Sequence, residues 1–341
     1  MVNYVDKPTS MSFKNIAVGI SGLGIGAGVA TYFFGRSSQT PSNVQNGPSP
    51  VIGGPGRPSG KLELIGGNVN PAGFFQYGFP GPIHDLESRQ EFISCYNRQT
   101  RNPYWVVEHI TAESLAARNA DRKFSFFRED EQIPEMFRGK LKDYFRSGYD
   151  RGHQAPAANA KFSQTAMDET FFLSNMSPQV GDGFNRDYWA HLEFFCRQLT
   201  KKYQNVRIVT GPLYLPKRDP TDGKIKVTYE VIGNPPNIAV PTHFFKLIVG
   251  DKPTNNPNTD SISVAAFVLP NEPIPNETKL TDFEVPIDAL ERSTGLQFFQ
   301  KVPENKKKEL CKEVKCQITV REFQKALPPP KVPLGLPSPK S

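Results

Sequence analysis

The chain has 341 residues, 37% hydrophobic and 22% charged, which excludes a fully disordered protein, and its four cysteines exclude a small disulfide-built scaffold. The net charge of +7 suggests a polyanionic partner, but residues 1–60 and 323–341 hold +3 each and leave the middle with +1. Affinity of the core for nucleic acid must therefore come from local placement of Arg and Lys, not from bulk charge.

The first informative stretch is Ile16–Phe34, IAVGISGLGIGAGVATYFF, which is 19 uncharged residues between Lys14 and Arg36. A membrane span takes about 20 apolar residues. Five glycines make a poor helix in water. In lipid, Gly lets helices approach closely, and Gly22-x-x-x-Gly26 and Gly24-x-x-x-Gly28 have that spacing. A cleaved targeting segment is the plainer alternative. A secretory signal fits less well, because no small-x-small cleavage site is evident after Phe34. We expect residues 1–36 to be a membrane anchor that doubles as an address, with flanking charges too few to fix its orientation. Residues 37–70, with GGPGRPSG at 53–60, read as a flexible linker.

From about residue 71 the texture changes, with Phe74, Phe75, Tyr77 and Phe79 clustered together. Tyr104–Ile110, Val206–Thr210, Phe244–Val249 and Ser263–Leu269 carry β-branched and aromatic residues between Pro/Asn/Asp turns, and read as strands. Asn185–Lys202, Pro286–Thr294 and Pro303–Lys312 read as helices. The two types do not alternate regularly. An α+β domain with a mixed, largely antiparallel central sheet flanked by helices is therefore expected over 71–323. The Pro- and Lys-rich residues 324–341 are expected to be a disordered basic tail.

Chemistry concentrates in Asp150-Arg151-Gly152-His153. An imidazole is mostly neutral at neutral pH and can take a proton from water. A neighbouring Arg can hold an anionic substrate. A surface Asp–Arg ion pair with an incidental His explains the same four residues equally well. His84, His109, His191 and His243 sit in loop, strand or helix contexts without acidic neighbours at ligand spacing. Downstream, Asn185, Trp189, Glu193 and Arg197 recur every fourth residue along one side of a helix. Glu193 and Arg197 have the spacing of a bracing pair, and a salt bridge from Glu193 to Arg186 is another option. Asn185 is either an N-cap or, through its amide oxygen, a ligand for an oxygen-preferring ion such as Mg²⁺.

The run DRGHQAPAANAKFSQTAMDETFFLSNMSPQ followed by FNRDYWAHLE resembles the DNA/RNA non-specific endonuclease family, and within it the mitochondrial endonuclease G group, its fungal members in particular. The likeness takes in YGFPGPIHDL and YNRQTRNPYWVVEHI upstream, and RIVTGPLYLP, VPTHFFKLIV, AAFVLPNEP and FEVPIDALERSTGL downstream, so it covers about 71–323.

The resemblance implies a ββα-metal site and hydrolysis of DNA and RNA, double- or single-stranded, with one Mg²⁺ or Mn²⁺ ion and 5′-phosphate products. By position it implies His153 as general base, Asn185 as direct metal ligand and Glu193 as the residue orienting metal-bound water. It likewise implies Arg122 as the arginine facing the phosphate across the cleft, Arg151 as a support for substrate and site with Asp150 its structural partner in the same turn, Asn175 as a site-lining residue and Arg197 as a support below the metal. It further implies a homodimer, held at the mitochondrial inner membrane through residues 16–34 with its domain facing the intermembrane space. Two other readings stay open: a non-catalytic nucleic-acid-binding or scaffold protein on the same fold, and an exonuclease or small phosphodiesterase. Cys95, Cys196, Cys311 and Cys316 show no zinc spacing and read as free thiols, a Cys311–Cys316 bridge being without support from spacing. Lys306–Lys308 reads as a solvated face.

Overall fold

Runs of β-branched and aromatic residues pair into a largely antiparallel central sheet. The structure, a computed structural model, describes residues 71–74, 76–77, 85–255 and 260–320. The proposed anchor at 16–34, the linker, the tail and His84 lie outside these residues. The strands are β1 (Asp85–Ser88), β2 (Phe92–Asn97), β3 (Asn102–Ile110), β4 (Asp150–His153), β5 (Met176–Gln179) and β6 (Asn205–Leu213). Two short hairpins follow, β7 (Lys217–Arg218) with β8 (Ile225–Lys226), and β9 (Val231–Ile232) with β10 (Ile238–Ala239). The remaining strands are β11 (His243–Asp251), β12 (Ile262–Pro270), β13 (Glu284–Val285) and β14 (Lys307–Glu309).

The central sheet runs β1-β2-β3-β6-β11-β12-β13, with β14 on β12 as its one parallel pair. All four expected strands are in it. Both faces are covered, which is why β11 reads as a nearly unbroken apolar run rather than an alternating one. On one face Ile110, Ile208, Phe244, Ile248 and Phe267 pack against Trp189, Leu192 and Phe195 of the helix Trp189–Gln198. On the other, Trp105, Val107, Val209, Phe245 and Leu247 pack with Leu290, from the helix Ile287–Thr294, and with Phe298. The site lies on the first face.

Two expectations are corrected. Pro303–Lys312 is not a helix: a single turn at Glu304–Lys306 leads into β14 and then into the short helix Leu310–Glu313. Pairing of Lys307–Glu309 along β12 outweighs local helix preference there. Cys311 and Cys316 are not free thiols but form a disulfide, because the chain turns after Glu313 and brings their Cα atoms to 5.2 Å. Cys95 and Cys196 are buried and unbridged. Among the described residues no helix is long and apolar enough to cross a membrane.

Candidate active site

The strands β4 and β5 form a separate hairpin, with Asp150 opposite Gln179 and His153 opposite Met176. Beyond β5 the chain winds through a wide turn at Gly181–Tyr188 into the helix Trp189–Gln198, which completes a strand–strand–helix unit. The turn is kinked at Gly183, whose φ is +80° and where a Cβ would stand 2.7 Å from Cβ of Pro273. Only glycine accepts both conditions. The Asp187 carboxylate takes the Gly183 backbone N–H at 2.6 Å and pins the kink.

This turn sets Asn185 beside β4. Its Nδ2 donates to Oδ2 of Asp150 at 2.9 Å, and its backbone N–H goes to Val180 O at 2.9 Å. The side chain is therefore not an N-cap. With the amide nitrogen held by Asp150, Oδ1 is the end of the carboxamide that Asp150 does not engage. Asp150 also takes a two-pronged contact from Arg186, at 2.8 Å from Nε and 2.6 Å from Nη2. Its ionic partner is thus Arg186, not the adjacent Arg151, and Arg186 is not the partner of Glu193.

His153 is 8% exposed and lies between two aromatic rings, Phe127 at 5.6 Å and Phe171 at 4.9 Å. Its Nε2 is enclosed without a hydrogen-bond partner. Each ring carries a guanidinium: Arg151 over Phe127 at 4.2 Å and Arg122 over Phe171 at 5.2 Å. Burial, then the positive charges of Arg122 and Arg151, push the His153 pKa down to about 3. The imidazole is accordingly neutral throughout the physiological range. Phe127 and Phe171 were not singled out from sequence, and no spacing signal marks them: they come from different segments and meet only in the fold.

Glu193 is pushed above the ordinary carboxyl range by burial, with Lys246, Arg197 and Arg122 pulling the other way. Arg122 and Glu193 thus feel each other's charge across the site. Arg197 does not form the expected ion pair with Glu193. It donates from Nη1 to Oδ1 of Asn159 at 3.2 Å, and Asn159 in turn donates to the buried Glu108 at 2.6 Å. Trp189 turns into the core, against Phe244 and over Nζ of Lys246 at 4.7 Å.

Asn175 is fully buried and faces backbone rather than the cleft. Its carboxamide accepts from Ala155 N at 3.0 Å and donates to Ala155 O at 2.9 Å and Thr170 O at 2.8 Å. It clamps the chain just past His153. Asn175→Ala leaves three buried backbone groups unpaired and is expected to lower stability by about 2–4 kcal/mol. Urea unfolding of the variant beside wild type measures this.

Among the described residues no group of three or more His, Cys, Asp or Glu side chains stands ready to cage a metal ion. The amide oxygen of Asn185 fits an ion that prefers oxygen ligands, takes few of them from protein and keeps several waters, as Mg²⁺ does.

A family model described as DNA/RNA non-specific endonuclease matches residues 70–305. The chain is 69% identical over 323 residues to the mitochondrial nuclease of Saccharomyces cerevisiae, covering 92% of this chain and 97% of that one. It is 44% identical over 223 residues to the human mitochondrial endonuclease G, covering 65% of this chain and 72% of that one. A solved structure, the crystal structure of an EndoG/EndoGI complex, superposes with a TM-score of 0.65 at 46% identity, covering 70% of this chain and 97% of that one. The matched span begins ahead of β1, contains the whole strand–strand–helix unit, and ends just before β14, so the chain belongs to the DNA/RNA non-specific endonuclease family and, within it, to the endonuclease G group.

Proposed function

We propose that the protein is a divalent-metal-dependent endonuclease of mitochondria that hydrolyses phosphodiesters of DNA and RNA, leaving 5′-phosphate ends. The observation that carries this reading is the pairing on β4. At one end Asp150 holds the Asn185 amide nitrogen and leaves the amide oxygen as the end for a ligand. At the other, His153 is held uncharged between Phe127 and Phe171, with two guanidiniums at the rim.

A neutral imidazole is the form that accepts a proton. Since Nε2 is enclosed, Nδ1 is the nitrogen that takes it from the attacking water. Arg122 and Arg151 meet the phosphate oxygens and offset the charge that grows on them. Asn185 would hold a Mg²⁺ or Mn²⁺ ion, with Glu193 supporting its water. Such an ion would supply Lewis-acid stabilisation of the charge on the departing oxygen. The contacts so described go to phosphate, not base edges, which accords with low sequence preference.

The mitochondrial address is supported by the names of the yeast and human relatives. Anchoring at the inner membrane through residues 16–34, a domain in the intermembrane space and a homodimer belong to the same proposal.

Supercoiled plasmid incubated with the protein and Mg²⁺ or Mn²⁺ is expected to be nicked and linearised. EDTA is expected to stop the reaction, and the fragment ends to accept label from a kinase only after phosphatase treatment. Cleavage that persists in EDTA, or ends that label directly, contradicts the proposal.

A further inference from the structure

Past Glu193 the helix Trp189–Gln198 continues out of the catalytic unit. Its end borders a pocket of about 570 Å³. Arg118, Lys161, Arg197 and Lys201 line it, over a floor that includes Leu115 and Phe194. Among the described residues no carboxylate lines it. In a domain whose charges nearly cancel, four cations around one concavity make a local positive potential that bulk composition does not predict.

The geometry points to this pocket as a second nucleic-acid subsite, which holds backbone phosphates of the strand being cut at some distance from the scissile bond. The proposal rests on the nuclease reading above and extends it. Three observations carry it. First, the pocket shares an element with the catalytic unit: Arg197 lies on the same helix one turn beyond Glu193. Within that helix Trp189 and Arg197 are eight residues apart, roughly 12 Å at helical rise, or on the order of three phosphates along one strand. Second, two of the four basic groups are pre-set. Arg118 Nη1 is held by the carbonyls of Leu115 at 2.5 Å and Ala117 at 2.7 Å, and Arg197 is held by Asn159. Guanidiniums fixed in this way lose less freedom on meeting a phosphate. Third, the apolar floor includes the Phe194 ring, 5.8 Å from the Arg197 guanidinium. An aromatic face among cations suits a nucleotide strand, where bases stack between phosphate contacts. An inorganic anion or a carboxylate peptide has no use for it.

The test uses the full-length chain in EDTA, so that binding is read without cleavage. The probe is a fluorescein-labelled single-stranded deoxyoligonucleotide of twelve residues, followed by anisotropy across a salt series. For R118E/K201E we expect about tenfold or greater loss of affinity, and a log–log salt slope shallower by about 1.4, from two phosphate contacts at ~0.7 each. The conservative pair R118K/K201R is expected to keep wild-type affinity within about threefold, since the charges remain. Both positions are at the rim, and a urea midpoint equal to wild type confirms that each variant is folded. Affinity of R118E/K201E within about twofold of wild type with an unchanged slope overturns the subsite. Failure of the nuclease reading shows separately, as absence of plasmid cleavage by wild type in Mg²⁺, and leaves the binding measurement intact.

Discussion

His153→Ala is expected to lower kcat/KM for plasmid cleavage by about 10²- to 10⁴-fold, the range that general-base catalysis supplies. Substrate affinity should change little, because the guanidiniums proposed to meet phosphate, Arg122 and Arg151, stack on Phe171 and Phe127 and do not depend on the imidazole for support. The loss therefore falls on kcat. The same environment fixes the pH profile. An ordinary imidazole loses its basic form below about pH 6.5, but burial and two nearby cations bring His153 down to about 3. The acid limb of kcat/KM should consequently be absent near 6.5 and lie well below it. An acid limb centred near 6.5 contradicts the caged imidazole. Stability moves with the same sign. The folded value is depressed, so the contribution of neutral His153 is whole above the unfolded value of about 6.5 and is lost as pH falls toward about 3. His153→Ala should remove that part of the acid slope.

What was legible in the sequence and what was not divide along a physical line. Tyr104–Ile110 and Phe244–Val249 announced themselves because β-branched and aromatic runs bounded by turns have few other uses, and both are sheet strands. The DRGH segment and the Asn185–Glu193–Arg197 side of the helix were legible because residues close in sequence must stay close in space. Contacts made across the fold were not. The ring pair around His153 joins position 127 to position 171. The true partner of Asp150 is Arg186, thirty-six residues away. Arg197 bonds not to its neighbour Glu193 but to Asn159, thirty-eight residues away.

The buried charges beneath the site are the largest omission. Lys246, 1% exposed, donates to Thr210 at 2.8 Å beneath the site helix, and Glu91 and Glu108 share its surroundings. Burial pushes both carboxyls well above their ordinary range, with Lys246 pulling them back. A lysine at an inward position of the apolar run FFKLIV breaks the pattern of its strand. That break was the available signal. Buried charge survives only when it is paired or neutralised, so such a break always has a partner to be sought.

Gly152→Ala is expected to be the most damaging single methyl addition in the catalytic unit. A Cβ at this position would stand 2.0 Å from Oε1 of Gln179, 2.2 Å from its Cδ and 2.5 Å from its Cγ. Gln179 is fully buried, across the hairpin from Asp150. The clash reaches Cγ, near the root of the side chain, so a rotation at the tip does not relieve it. Gly152 is not among the residues of positive φ, which makes the cost steric rather than conformational. Overpacking of this kind costs about 1–3 kcal/mol, and for a domain of this size each kcal/mol lowers Tm by roughly 2–4 °C. A drop on the order of 5–10 °C is expected. Activity should fall further than stability suggests. Arg151 and His153 flank the glycine on β4, and parting the strands by about 1 Å displaces both, a misplacement that costs on the order of 10²-fold. The companion variant Gly152→Ala/Gln179→Ala isolates the cause. Removing the obstructing side chain should return part of the lost Tm even though Gln179→Ala alone lowers it, which is a coupling of opposite sign to simple addition. If Gly152→Ala alone melts within about 1 °C of wild type and cleaves plasmid as fast, the close approach of β4 to Gln179 is not what holds the histidine in place.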